Sequence, residues 1–407
     1  MKFTDHRAGS GYFFGNDFYP IWLTSRTCLP QRRDPYGAQV TREIQVGLFG
    51  RPLNTNTPGD PPSDYRTFSY PAFVDLFGLL LAWLPFPMAR IALAVLLPIL
   101  TGASVVLWSK ALRWKTSRAV LVIFIALTLF SYPGLEALFA EQAGLIVGFL
   151  LAAALLALAG SKLWQAGCLL ALTTVKPQMC VLLILYLLMW AMADWRQRWT
   201  FSASFIGTLA ALTVAAMLVW PNWIAGWLRV LLAYRHYSRP PLLGALSGSY
   251  PGLILIAVVL AGSLAFAWRR RQLFPESAQF GMTIALLLAI TTITLLPAHA
   301  VYDHIILLPG IIVVARSWSE VSRRSIAFRG MLALAAGVIL WPGLAALIVV
   351  GMQTVAPGSV TAILFLPLRT AAAMPFVLLA LLFLMARQKI WRTGEEPGTL
   401  SSFGPSS

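Results

Sequence analysis

Charge is scarce in this chain: only 11% of its 407 residues are Asp, Glu, Lys or Arg, where an ordinary globular domain has about a quarter. So few charges cannot clothe a soluble protein of this size, which excludes a soluble enzyme. An apolar fraction of 58% and a mean hydropathy of +0.74 exclude a disordered chain. Cysteine is also rare, with three in all, so no disulfide framework exists. Cys168 and Cys180 lie in apolar runs and Cys28 has no evident partner. The start carries no apolar stretch that reads as a signal peptide. There is no internal repeat, and only the C-terminal GEEPGTLSSFGPSS reads as a flexible tail. Acids are the scarcest of the charges, 15 against 31 Lys and Arg. The resulting net charge of +16 belongs to membrane topology rather than to nucleic-acid binding.

What is present is apolar sequence in long runs. Residues 1–71 are polar and rich in Pro, Gly and aromatics, and are expected to form an outer, periplasmic loop region. Residues 72–386 form an all-α, polytopic transmembrane bundle, and residues 387–407 a cytoplasmic tail. Eleven spans are expected near 88–109, 119–133, 143–159, 163–176, 178–193, 201–220, 251–268, 280–297, 301–315, 329–350 and 360–386. The pair 163–176 and 178–193 reads equally as one long helix kinked at Pro177. Residues 72–86 read as a re-entrant or interfacial helix, because Asp75 and Pro85 interrupt them.

Alternate loops sort by charge. One set carries 17 Lys and Arg in 66 residues, the other 11 in 122. The denser set is cytoplasmic by the positive-inside rule, which places the C-terminus inside and residues 1–71 outside an inner (plasma) membrane. A polar N-terminal segment without a signal does not cross a bilayer unaided: either a first transmembrane helix lies upstream of residue 1, the reading that the uniform charge bias elsewhere favours, or the orientation is inverted.

Ten of the fifteen acids fall on the outer side or at its edge. Ion-coupled transport usually places carboxylates at mid-membrane, so this distribution points instead to chemistry at the outer face, on a lipid head group. Asp17, among Phe18, Tyr19 and Trp22, reads either as a partly desolvated general base or as a helix N-cap. Arg42, Arg51 and Arg66 either grip phosphate or sit as surface charges. Lys176, in Lys176-Pro177-Gln178, lies between apolar runs, where a lysine either meets an anion such as lipid phosphate or snorkels to the interface. His299, Tyr302, Asp303 and His304 cluster at the junction of two spans, and His299 and Asp303 share a face if that stretch is helical. Sugar or phosphate contacts fit this cluster better than an incomplete metal site. Arg235, His236 and Arg239 mark a basic–aromatic outer loop for an anionic or sugar ligand, or for head groups.

These motifs come in a familiar order: Gly15-x-Asp17-Phe18-x-x-x-Trp22, Asp34-Pro35-Tyr36, Phe68-x-Tyr70-Pro71, Glu141-Gln142, Lys176-Pro177-Gln178, and His299-x-x-Tyr302-Asp303. Over roughly residues 15–310 the chain resembles the membrane-embedded GT-C glycosyltransferases, above all glycosyltransferase family 87, the polyprenol-phosphate-mannose-dependent mannosyltransferase-like proteins. In that family an acid of the first outer loop is the general base, and Asp17 is its match here. The family's loop follows a first transmembrane helix, as expected above for this chain. One departure is Glu141, where the family often has Gly before the Gln. The resemblance implies inverting transfer from a polyprenyl-phosphate sugar to a lipid or glycan acceptor, with no cofactor required and no metal indicated. Tyr70, Glu141, Gln142, Gln178 and the residues of the later clusters join Lys176 and Arg66 as expected substrate contacts. A transporter or flippase for lipid-linked glycans is the alternative from another class.

Overall fold

The computed structural model describes residues 14–355 and 366–390. The expected tail beyond 390, the first thirteen residues and the start of the 360–386 span lie outside the described residues. Every regular element among the described residues is helical. The first segment, expected as an outer loop, contains α1 (Tyr19–Gln31), α2 (Ala38–Phe49) and, past its end, α3 (Val74–Ala82). These are followed by α4 (Phe86–Ala111), α5 (Arg118–Phe130), α6 (Tyr132–Ala140), α7 (Ala143–Ala159), α8 (Leu163–Leu172), α9 (Val181–Met192) and α10 (Trp195–Val219). Then come α11 (Trp223–Tyr237), α12 (Leu242–Ser247), α13 (Ser249–Arg269), α14 (Ala278–Thr294), α15 (Leu308–Arg316) and α16 (Trp318–Arg323). The last three are α17 (Ile326–Val355), α18 (Leu366–Ala371) and α19 (Met374–Arg387). Three 3₁₀ segments, Thr173–Val175, Pro177–Met179 and Val301–Leu307, fall where polar residues interrupt apolar runs.

By length and apolar composition, α4, α10, α13 and α17 can each cross a bilayer, and α5 with α6 forms a fifth candidate bent by 59°. The chain is therefore a multi-pass membrane protein. Ser131 makes the bend: its hydroxyl accepts from Gly134 N at 3.1 Å and donates to Thr128 O at 2.9 Å, ending one helix while capping the next. Five shorter apolar helices, among them α7, α9 and α14, run to 17 residues at most, about 26 Å of rise against a hydrocarbon core of about 30 Å. Helix α14 is the axis of the bundle, with 14 of its 17 residues buried. Ser277 caps it by accepting from Phe280 N at 3.2 Å.

Lys176 and Pro177 separate α8 from α9 rather than kinking one helix. The chain leaves helical geometry at Lys176 (φ −138°, ψ 71°). Trp190, at the far end of α9, donates to Leu273 O and packs on Phe201 and Phe280, away from Lys176. Asp75 does not interrupt its segment. It sits in the first turn of α3, buried against α1, where Thr24 and Ser25 donate to its Oδ1 at 2.7 and 3.2 Å. The expected outer loop after α10 is largely helical. Trp223 of α11 meets Phe73, Trp227 donates to Ser69 O at 3.0 Å, and Tyr237 to Asp64 O at 3.2 Å. These contacts lay α11 over the loop between α2 and α3.

The bundle thus has two distinct ends. At one, α1, α11, the 50–73 loop and the junctions at 141–142, 173–180 and 298–307 converge. At the other, Arg316 donates to Leu112 O at 2.7 Å and Arg113 pairs with Glu276 at 2.6 Å, which gathers the basic loops 110–118, 269–279 and 316–329.

Candidate active site

At the first end, four helix junctions deliver one polar network into an apolar surround. Gly15 takes a left-handed turn (φ +80°), and its N–H bonds Phe139 O at 2.8 Å. Asp17 N bonds Ala140 O at 3.2 Å. These two bonds seat the N-terminal segment against the end of α6. Asp17 does not cap α1, whose N-cap is Phe18 with no side-chain bond. Its carboxylate instead accepts from Arg66 Nη1 on Oδ1 and from Gln142 Nε2 on Oδ2.

The network continues inward. Gln142, at the N-cap of α7, accepts from Lys176 Nζ on its own carbonyl oxygen at 3.0 Å. Lys176 Nζ also bonds both Asp303 oxygens, at 2.6 and 2.9 Å, and lies 5.0 Å from the centre of the Tyr302 ring. An ammonium has three donors, and all three are met inside the chain. The lysine therefore neither snorkels nor waits for an anion; its counter-charge is Asp303, 127 residues away. Asp303 is 1% exposed, Gln142 2% and Lys176 7%. Ions buried to this degree persist only as a bonded set. The 3₁₀ geometry of Val301–Leu307 aims Asp303 at Lys176, and Gly144 opposite leaves room for it, since a methyl there would land on Asp303 Oδ1.

Two further residues of the expected site lie within electrostatic reach. Burial, and then the Asp17 and Asp303 charges, push the Tyr70 phenol well above its ordinary range. Burial, and then Arg239 and Arg66, hold the His299 imidazole below its usual value, which leaves it neutral at pH 7. Arg66 has a left-handed backbone (φ 59°) and a buried Nε with no hydrogen-bond partner, and its guanidinium lies 5.6 Å from the Tyr65 ring centre. An orphaned buried donor on a charged group is costly.

Glu141 is beside the network but outside it. It ends α6 in a left-handed conformation (φ 53°), and its carboxylate turns toward Gly15 and Arg90, with neither oxygen hydrogen-bonded. Burial, partly offset by Arg90, pushes this carboxyl up to about 8. Four expected contacts are not gathered here. Gln178, Arg235 and His236 are exposed on the end surface. His304 is buried in the 3₁₀ segment with Nδ1 unpartnered. Arg42 is exposed, and Arg51 forms an exposed pair with Asp60 at 2.5 Å. Among the described residues no three of His, Cys, Asp and Glu come together as metal ligands.

Sequence reasoning missed Arg90, which donates to Phe14 O at 3.3 Å and lies 5.1 Å from the Phe14 ring centre. The signal was present: an arginine one turn into an otherwise apolar span is costly unless it serves a site. Tyr234 was also passed over, and it shares the Asp17, Arg66 and Asp303 field.

One end of this multi-pass helical bundle thus gathers two carboxylates, Asp17 and Asp303, and two cations, Arg66 and Lys176, among aromatic side chains. The sequence model of glycosyltransferase family 87 matches residues 68–296, more than half the chain. The chain belongs to that family, and it is a glycosyltransferase. Tyr70, Gln142 and Lys176 fall within the matched segment, while Asp17, Arg66 and Asp303 lie outside it. No curated protein matches the chain.

Proposed function

We propose that the chain transfers a mannosyl or related hexosyl or pentosyl group, with inversion, from a polyprenyl-phosphate sugar to a lipid or glycan hydroxyl. The reaction takes place at the outer face of an inner membrane, with the C-terminus cytoplasmic and the apolar helices arranged as eleven GT-C-type spans. The observation that carries this reading is Asp17, a carboxylate held at the end of the bundle between Arg66 and Gln142.

The chemistry follows from what a lipid phosphate is. It departs as a stable anion, so the enzyme needs no acid behind it. Asp17 takes the proton of the acceptor hydroxyl, that oxygen bonds the anomeric carbon, and the electron pair of the breaking C–O bond leaves on the phosphate. Arg66 supplies the stabilising cation. Its unpartnered Nε and its free η hydrogens suit a phosphate bidentately. Lys176, saturated by Asp303 and Gln142, is a positioning residue: it fixes the Gln142 amide, which in turn aims Asp17. The Tyr70, Tyr302 and Tyr234 rings offer faces on which a sugar stacks with water excluded.

The test is sugar transfer by the purified full chain in proteoliposomes, offered radiolabelled polyprenyl-phosphate sugars and, separately, nucleotide sugars. Transfer is expected only from the lipid donors and is expected to fall by about 10²–10⁴ in Asp17→Asn. Equal turnover by Asp17→Asn removes Asp17 from the chemistry, and transfer from nucleotide sugars removes the donor class.

A further inference from the structure

A well-formed cavity lies at the other end of the bundle. It measures about 440 Å³, within the roughly 300–1,000 Å³ range of small-molecule sites. The last turn of α4, the first turn of α14 and the last turn of α15 enclose it, and α16 forms its lip. Its floor is apolar, built from Trp108, Leu155, Phe280 and Val313, all buried. Its rim is charged and unevenly balanced. Glu320 on the rim pairs with Arg324 at 2.9 Å, and Glu276 with Arg113 at 2.6 Å. Each rim carboxylate thus already has an arginine of its own.

Arg316 and Arg323 are left over. Both line the cavity, and neither has a carboxylate partner among the described residues. Arg316 is half-buried and its protein acceptor is one backbone carbonyl, Leu112 O at 2.7 Å. A guanidinium carries five N–H donors, so most of those of Arg316 remain to be met. The first turn of α14, opened by Ser277, adds backbone N–H groups on the same wall. The whole arrangement stands where the basic loops gather, at the boundary between apolar helices and polar loops.

We propose that this cavity is a second lipid site, taking the phosphate of an anionic phospholipid against Arg316 and Arg323 while the start of an acyl chain lies over Trp108 and Phe280. A free phosphate ion would match the two arginines but leave the apolar floor empty. A zwitterionic head group would bring its own cation against theirs. Pockets of basic residues between membrane helices on the positive side of a bilayer take anionic head groups in this way. The site is at the opposite end from Asp17 and is independent of the reaction assigned there.

The experiment is native mass spectrometry of the full chain in detergent, titrated with phosphatidylglycerol, with phosphatidylcholine, and with phosphatidylglycerol in millimolar inorganic phosphate. Wild type is expected to retain one phosphatidylglycerol with at least tenfold preference over phosphatidylcholine, undiminished by inorganic phosphate. The pair Arg316→Gln with Arg323→Gln is expected to lose that preference. Ser319→Glu, at an exposed rim position of the cavity, is expected to weaken it several-fold and guards against a misfolded double variant. Equal retention of the two lipids, or an unchanged preference in both Ser319→Glu and the double variant, overturns the proposal. Displacement of the lipid by inorganic phosphate overturns the lipid as its source.

Discussion

The two ends of this bundle solve the same electrostatic problem in opposite ways. At the basic end, ion pairs such as Arg113–Glu276 are more than half exposed on both side chains, and water shares the load. At the other end, Lys176–Asp303 is 9% and 2% exposed, and the protein must supply every partner itself. The first kind of pair contributes little to stability and is replaceable. The second is costly to assemble, and far more costly to half-dismantle. Buried charge that a fold could have avoided by packing aliphatic residues is a sign that the charge serves something other than stability.

Four measurements beyond Asp17→Asn break or sharpen that contrast. The largest effect is expected from Lys176→Met alone, which strands Asp303 in the interior and costs about 3–5 kcal/mol in urea or thermal unfolding. Combining it with Asp303→Leu is expected to recover most of that stability while transfer stays low. If the double variant transfers normally, the buried pair has no positioning role. Next, Arg66→Gln removes a charge-assisted bond worth about 1.5–3 kcal/mol, expected as a rise of about tenfold to hundredfold in the KM for the lipid donor with a smaller change in kcat. An unchanged KM would take the phosphate away from Arg66.

The third concerns Glu141. Its carboxyl titrates at about 8 in the folded chain against an ordinary 4.5. Between those values the folded state holds the extra proton, so stability falls as pH rises through the window. Glu141→Gln is expected to match wild type near pH 4 and to melt higher at pH 8.5. Parallel pH profiles of the two proteins would refute the buried, unpartnered carboxylate. The smallest effect belongs to the exposed end, where Arg113→Ala is expected to cost about 0.2–1 kcal/mol. A loss as large as that of Lys176→Met would erase the difference between the two ends.

The long helices were legible because nothing but a membrane span explains runs such as residues 88–109. The segments that escaped were those whose apolar faces serve a neighbour rather than lipid. Helix α11 reads as a loop until Trp223 and Trp227 are seen on Phe73 and Ser69. Helices α1 and α2 hide among prolines and aromatics. At the site, Asp17, Gln142, Lys176 and Asp303 each stood out singly, from the expense of a polar group in an apolar run or from the family's motifs. Their pairing did not. Sequence offers no reason to match Lys176 with Asp303 rather than with a ligand, because the match depends on how α7 and the 3₁₀ segment at Val301 approach across Gly144. Arg90 was overlooked for a simpler reason, having been read as part of a span rather than as an exception within one.

Gln142 carries one consequence further. Its side-chain amide gives its N–H to Asp17 and its oxygen to Lys176, so the group has a polarity that cannot be reversed without breaking both bonds. It works as a one-way connector between two charged circuits that never touch. When Asp17 gains a proton, the pull on the amide hydrogen weakens, the carbonyl becomes a poorer acceptor, and Lys176 leans the more on Asp303. The state of the Asp17 carboxylate is thereby felt across the bundle end at Lys176 and Asp303, which it never touches.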